Sequence, residues 1–188
     1  MKHIATVALM LNLGVAGVYA QQRSVKMTFS GTVEPSTISL QPGTNTDEVN
    51  VAGDGNLGHF TFRELHADTA SPQSSSACSG PTKLYFPTVA GAGVFRFHDG
   101  SLLTVKLTEG SSLCIDLAAA VGHLTATYQI TGGTGRFKSA SGTLTLTATW
   151  LPVLFNGPNS VVLLTSTGEI TGTVLGVARG EDRQDERQ

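Results

Sequence analysis

The sequence predicts an all-β protein, an eight-stranded antiparallel β-barrel. Three observations carry this reading. Thr and Gly dominate, with 24 Thr and 22 Gly among 188 residues, a composition suited to pleated strands joined by tight turns. Most segments between turns alternate apolar with polar residues, the period of a half-buried strand. Each then has one apolar face and one Thr-rich face, as in an antiparallel sheet resting on a core. Closing such a sheet into a barrel removes its exposed edges. A two-sheet β-sandwich is the alternative.

Composition excludes other classes. Charged residues make up 14% of the chain, hydrophobic residues 40%, and the net charge is −2. That is too apolar for a disordered chain and gives no basic footprint for nucleic acid. The length suits one domain, expected over residues 21–178.

The first 20 residues read as a signal peptide. Lys2 precedes the apolar run Ile4 to Val18, which ends at Val18-Tyr19-Ala20, a cleavage pattern of small residues. The run has 15 residues, short of the roughly 20 needed to span a bilayer. No membrane anchor is expected after processing, and the mature chain from Gln21 is expected to be secreted or periplasmic. Cys78 and Cys114 then predict one disulfide, closing a loop worth roughly 3–4 kcal/mol by chain entropy. A pair of free buried thiols is the other reading.

The elements follow in order. Val25 to Val33 alternates and stops at Glu34-Pro35, and Thr37 to Leu40 forms a second short run. Gln41 to Asn56 is rich in Gly, Asn and Asp and predicts a long loop. Leu57 to Glu64 predicts a strand with Phe60 and Phe62 on one face and His59, Thr61 and Arg63 on the other. Ala67 to Thr82 is of low complexity and predicts a surface loop. Gly93 to Phe97 sets Phe95 and Phe97 on one face, and His98 to Ser101 carries the Asp-Gly of a hairpin turn. Ser101 to Glu109, Leu113 to Leu117, His123 to Ile130 and Gly142 to Trp150 continue the alternation. Val161 to Leu175 makes the last strand or a bent strand pair. Residues 179–188 carry seven charges and predict a solvated, disordered tail.

The segment Thr127 to Trp150, TYQITGGTGRFKSASGTLTLTATW, stands apart. Gly132, Gly133 and Gly135 permit backbone angles closed to residues with a Cβ, and Phe137 is placed to turn inward and plug one end of the core. No helix follows, so the glycines do not form a phosphate-binding loop. The segment resembles the GGTG-F-x-x-A-x-G hairpin of the allene oxide cyclase and dirigent barrel superfamily, and bacterial secreted proteins bearing an ITGGTGRF motif. The close match covers about 24 residues. A looser one, LGHFTF followed by an Asp-Gly hairpin, extends over much of Leu57 to Leu175. The resemblance implies an eight-stranded antiparallel barrel with an apolar cavity, often trimeric, so a homo-oligomer is a candidate assembly. It also implies small hydrophobic substrates. The cyclases use an early-strand Glu and a cavity Cys. Glu34 and Cys114 are of the right type, but no surrounding motif matches them.

The inward aromatic residues Phe60, Phe62, Phe95, Phe97, Tyr128 and Trp150 are the candidate ligand-binding set; with Phe137 they otherwise simply fill the core. His59, His98 and His123 lie on or beside polar strand faces, and no His pair has the spacing of H-x-H, so no metal site is expected. No cofactor is expected. Glu34, Asp116 and Glu169 are candidate acids but are unpaired by spacing and read as solvated charge. No G-x-S-x-G elbow is present. The Thr ladder from Thr143 to Thr149 reads as a solvated pleated surface.

The expected function is a secreted, non-catalytic barrel that binds a small hydrophobic molecule or serves as an interaction scaffold. The alternative is a cyclase or isomerase acting on an apolar substrate in the cavity. An enzyme needs a cavity with a buried titratable group; a binder needs only the cavity.

Overall fold

A computed structural model of the chain describes residues 22–157 and 160–178. The expected signal peptide and charged tail lie outside these residues. Nine strands form the molecule: β1 (Arg23–Pro35), β2 (Thr44–Gly55), β3 (Phe60–Thr69), β4 (Lys83–Phe97), β5 (Leu102–Leu107), β6 (Ser112–Asp116), β7 (Val121–Gly133), β8 (Ser141–Phe155) and β9 (Val161–Leu175). All pair antiparallel, in the order β3-β2-β1-β9-β8-β7-β5-β4-β6, and the additional pairings β3–β4 and β7–β6 close the ring.

The nine strands fill eight positions. β5 pairs with β4 over Ala92 to Arg96, and β6 pairs with its other half over Lys83 to Pro87. Both pair with β7, so together they act as one wall strand. The eight-position barrel is therefore closed, and the sandwich alternative falls away. Its interior comes from alternate residues of every strand: Val25, Met27 and Phe29 of β1, Leu124, Ala126 and Tyr128 of β7, Leu144, Leu146 and Ala148 of β8 are all buried. The Thr ladder of β8 faces outward, as its period of two requires.

One segment expected as a loop is largely strand, while the expected loop Ala67 to Thr82 is strand only up to Thr69. Gln41 to Asn56 contains β2, paired along its length with β1 and β3. Its inward positions Val49 and Val51 are buried, but the third, Asp47, is polar, so the apolar alternation is too short to announce a strand. β3 runs on past Glu64 to Thr69 for the same reason: its further inward residues are Glu64, His66 and Asp68, which read as surface. Likewise β4 is 15 residues long, whereas only Gly93 to Phe97 was expected, because Gly91, Gly93 and Pro87 interrupt its pattern. The expected run Thr37 to Leu40 forms no strand. The last strand is a single one, pairing with both β1 and β8.

Gly93 shows why an inward glycine belongs in this wall. A Cβ there would collide with the Phe62 ring. Two positions along, a Cβ at Gly91 would lie 2.9 Å from the His66 Cβ and 3.3 Å from Glu64 Oε1. The glycines of β4 thus make room for the large inward side chains of β3.

Cys78 and Cys114 form a disulfide with Cα atoms 5.7 Å apart. It ties the segment after β3 to β6 in the barrel wall. Such a bridge fits folding in an oxidising compartment.

Candidate functional site

The barrel has a plugged end and an open end. At the plugged end Phe137 follows the glycine turn and is fully buried. Its ring packs on Phe97 at 4.7 Å between centroids. The Arg136 guanidinium lies over both rings, at 4.9 and 4.7 Å, pairs with Asp99 at 3.1 Å and donates to the Leu57 carbonyl at 2.5 Å. Gly135 has φ +59°, a left-handed conformation that favours glycine and lets the chain fold over the barrel end.

Beneath this plug the aromatic residues pack on one another. Phe62 stacks on Phe95 at 4.1 Å, Phe60 tilts against Phe95 and Phe97, and Tyr128 meets the edge of Phe62. Of the six candidate ligand-binding residues, these five are buried in the packed half. Trp150 alone among them lines the cavities at the open end.

Between the packed half and the open end lies a polar layer. Every second residue of β3 points inward, so Phe60 and Phe62 are followed by Glu64, His66 and Asp68. Asp47 of β2 is the cross-strand partner of His66. The Tyr128 hydroxyl donates to Glu64 Oε1 at 2.7 Å, and the Thr88 hydroxyl donates to Asp68 Oδ1 at 2.5 Å. His66 sits between the acids: Nδ1 is 3.7 Å from Glu64, and Nε2 is 3.6 Å from Asp68 and 3.9 Å from Asp47. These are ionic contacts, too long for hydrogen bonds. Both His66 nitrogens, Glu64 Oε2, Asp68 Oδ2, Trp150 Nε1 and Ser166 Oγ are buried without a hydrogen-bond partner among the described residues. Each such group costs roughly 1–3 kcal/mol if left unpaired, so the layer is built for something other than packing.

The electrostatics follow from burial and mutual charge. Burial pushes the Asp47 carboxyl up to about 6; His66 opposes this rise and Asp68 adds to it. Burial alone would lower His66, but Asp68 and Glu64 outweigh it and hold the imidazole well above its usual value, in its charged form. Burial and the neighbouring Glu64 push the Tyr128 phenol well above its usual value, so it remains a donor.

The open end is a cavity of about 520 Å³ reaching down to Asp47, Asp68 and Trp150. An adjoining cavity of about 420 Å³ shares Ile115, Trp150, Val161 and Leu164 with it. The lining is mixed: Phe86, Leu113, Ile115 and Leu164 are apolar, while Ser36, Thr37, Asn45 and Thr46 are polar. Ile38, which lines the first cavity, and Leu117 and Phe155, which line the second, are 51, 60 and 52% exposed.

The other candidates stay apart. His59, His98 and His123 are exposed, and His59 pairs with Asp54 at the surface. Glu34 and Glu169 are exposed. Asp116 caps the turn after β6, accepting from the Ala118 and Ala119 amides. Cys114 is in the disulfide and Glu34 stands outside the barrel, so neither takes the cyclase role. The residue that sequence reasoning missed is His66, with its neighbours Glu64 and Asp68. The signal was present as E-L-H-A-D, three titratable residues at alternate positions continuing the Phe60–Phe62 face.

Fold and site together define a disulfide-stapled antiparallel barrel, plugged at one end and carrying a polar-floored cavity at the other. The sequence matches no protein-family model and no curated protein. Among solved structures it is similar to a pterocarpan synthase dirigent protein, at 13% identity and a TM-score of 0.39, over 88% of this chain and 90% of that one. At that level the likeness adds nothing about function, and the barrel assignment rests on the strand pairing above.

Proposed function

We propose that this protein is an exported barrel that binds a small, mostly apolar molecule in its open end. The apolar body lies against Phe86, Leu113, Ile115 and Leu164, and the one polar group reaches the floor at Asp47 and Asp68. The observation that carries this reading is a cavity that combines the apolar side chains Phe86, Leu113, Ile115 and Leu164 with the buried, unpartnered Asp68 Oδ2 and Trp150 Nε1. Ligand sites of roughly 300–1,000 Å³ commonly have this construction. Trp150 touches the ligand, and Phe60, Phe62, Phe95, Phe97 and Tyr128 form the rigid bed beneath. Export is supported by the disulfide and by the apolar N-terminal run.

Trp150 is the only tryptophan, so its emission reports on the cavity. Titration with the neutral apolar probe N-phenylnaphthylamine should quench it saturably, with one probe per chain. Leu164→Arg, which fills the mouth with a charged side chain, should weaken binding at least tenfold. No change in emission, or equal binding by Leu164→Arg, would refute the reading.

A second reading is favoured by one observation: Asp47 lines the cavity and changes protonation near pH 6, where a general acid or base works best. The barrel would then isomerise or cyclise its apolar substrate. Extraction of the bound molecule separates the two. A binder yields the same molecule from the native protein and from Asp47→Asn. An isomerase yields isomers of equal mass that separate by chromatography.

A further inference from the structure

We propose that Asp47, His66 and Asp68 form a site for a first-row divalent cation such as Zn²⁺, with an open coordination position facing the cavity. One ligand atom from each lies within 4.8 Å of the others. The individual distances to His66 Nε2 are 3.6 Å from Asp68 Oδ2 and 3.9 Å from Asp47 Oδ2. A tetrahedral Zn²⁺ with bonds of about 2.0–2.1 Å sets its ligand atoms roughly 3.3 Å apart. The Asp68 and Asp47 oxygens therefore need to approach Nε2 by about 0.3 and 0.6 Å, and each other by up to about 1.5 Å.

Two further observations point to a bound cation. His66 Nε2 and Asp68 Oδ2 are buried, face each other and have no hydrogen-bond partner, and both belong to residues no more than 4% exposed. Next, the groups behind the ligands are arranged as supports of a metal site are. Glu64 faces His66 Nδ1 at 3.7 Å, where it can accept that N–H and direct Nε2 to the metal. Tyr128 fixes Glu64 from behind, and Thr88 holds the far oxygen of Asp68. The ligand set comes from adjacent strands β2 and β3, a rigid base for coordination.

The chemistry of the set selects the ion. One imidazole and two carboxylates suit Zn²⁺, Co²⁺ or Mn²⁺, whereas Ca²⁺ and Mg²⁺ prefer oxygen ligands alone. Three carboxyl groups surround one imidazole, so a dication also relieves the local excess of acid. Asp47 and Asp68 line the cavity, so the remaining coordination position opens onto the space where a small molecule binds. The site stands independently of the ligand reading. It removes Asp47 as the acid–base group of the isomerase reading, because a metal-bound Asp47 has no proton to exchange.

The test uses tag-free, disulfide-intact protein stripped with chelator and titrated with CoCl₂, then ZnCl₂. One equivalent of Co²⁺ should bind with visible d–d absorption, alter Trp150 emission and be displaced by Zn²⁺ but not by Mg²⁺. His66→Gln and Asp68→Asn should abolish uptake. Glu64→Gln, a positioning change, should weaken it roughly 10–100-fold while leaving the stoichiometry. His59→Asn should change nothing, since it removes only a surface pair. Asp47, at the cavity edge, tolerates Asn, so Asp47→Asn should lose binding in a folded barrel even if His66→Gln does not fold. The proposal is overturned by a folded native protein that takes up no Co²⁺, by uptake that survives Asp47→Asn and Asp68→Asn, or by uptake lost in His59→Asn.

Discussion

The His66 imidazole stacks on the Trp150 indole across the barrel, with centroids 5.6 Å apart and planes 27° from parallel. The two residues are 84 positions apart and belong to β3 and β8. Their contact joins the buried acidic layer to the cavity wall. A cation over an indole face is itself favourable by about 0.5–2 kcal/mol, so the charged form of His66 is stabilised from this side as well as by the carboxylates.

The metal-free protein should lose stability as pH rises. Asp47 and His66 both have folded values raised above their unfolded ones, so both bind protons more tightly when folded. Their stabilising contribution is complete below the unfolded values and falls as pH increases. For Asp47 the loss runs from about 4 to about 6 and amounts to about 3 kcal/mol; for His66 it begins above about 6.5. Urea denaturation in chelator should show Asp47→Asn more stable than the native protein at pH 8, with the difference shrinking at pH 4. A difference that does not vary with pH would sink this account.

Tyr128→Phe should destabilise the barrel by about 1–3 kcal/mol. The variant keeps the ring that meets Phe62 but strips Glu64 of its one hydrogen-bond donor among the described residues. Chemical denaturation measures the loss. A change under about 0.5 kcal/mol would mean that Glu64 finds another donor.

The two ends of the barrel should respond separately. Phe137→Ala removes a fully buried ring and should cost about 3–5 kcal/mol. Probe binding at the open end should stay within about twofold of native, because Phe137 packs on Phe97 and Arg136 rather than on the cavity. Loss of probe binding by the folded variant would show that the cavity extends through the packed half.

Replacing both Cys78 and Cys114 with Ala should lower stability by roughly 3–4 kcal/mol. The segment between β3 and β4 should then become the first site of limited proteolysis, since its main tie to β6 is the disulfide. Unchanged proteolysis would show that the bridge Gln73–Tyr85 suffices to hold it.

Much of this fold was legible because most strands obey one rule, apolar inside and Thr outside. β8 follows it from Thr143 to Trp150, β7 follows it with His123 and Gln129 beside its outward threonines, and the glycine turn between them ends in a Phe137 that plugs the core as expected. The rule fails where the interior stops being apolar. Asp47 shortened the pattern of β2, and Glu64, His66 and Asp68 made the end of β3 look like solvent-facing loop. The strands that were missed and the polar layer are therefore one feature. Periodicity in E-L-H-A-D still follows the strand, but the inward face is recognised only once β2, β4 and β8 surround it. The aromatic set was found correctly as interior, yet only Trp150 reaches the cavity, because Phe60, Phe62, Phe95 and Phe97 meet across neighbouring strands and stack.

The most direct test of a ligand-binding open end is native mass spectrometry of the protein purified from an oxidising compartment, with its bound contents retained. The account predicts a small apolar adduct that survives gentle desolvation, leaves on activation and is absent from Leu164→Arg. A bare protein of unadorned mass from several hosts, together with unchanged Trp150 emission in the presence of N-phenylnaphthylamine, would contradict it.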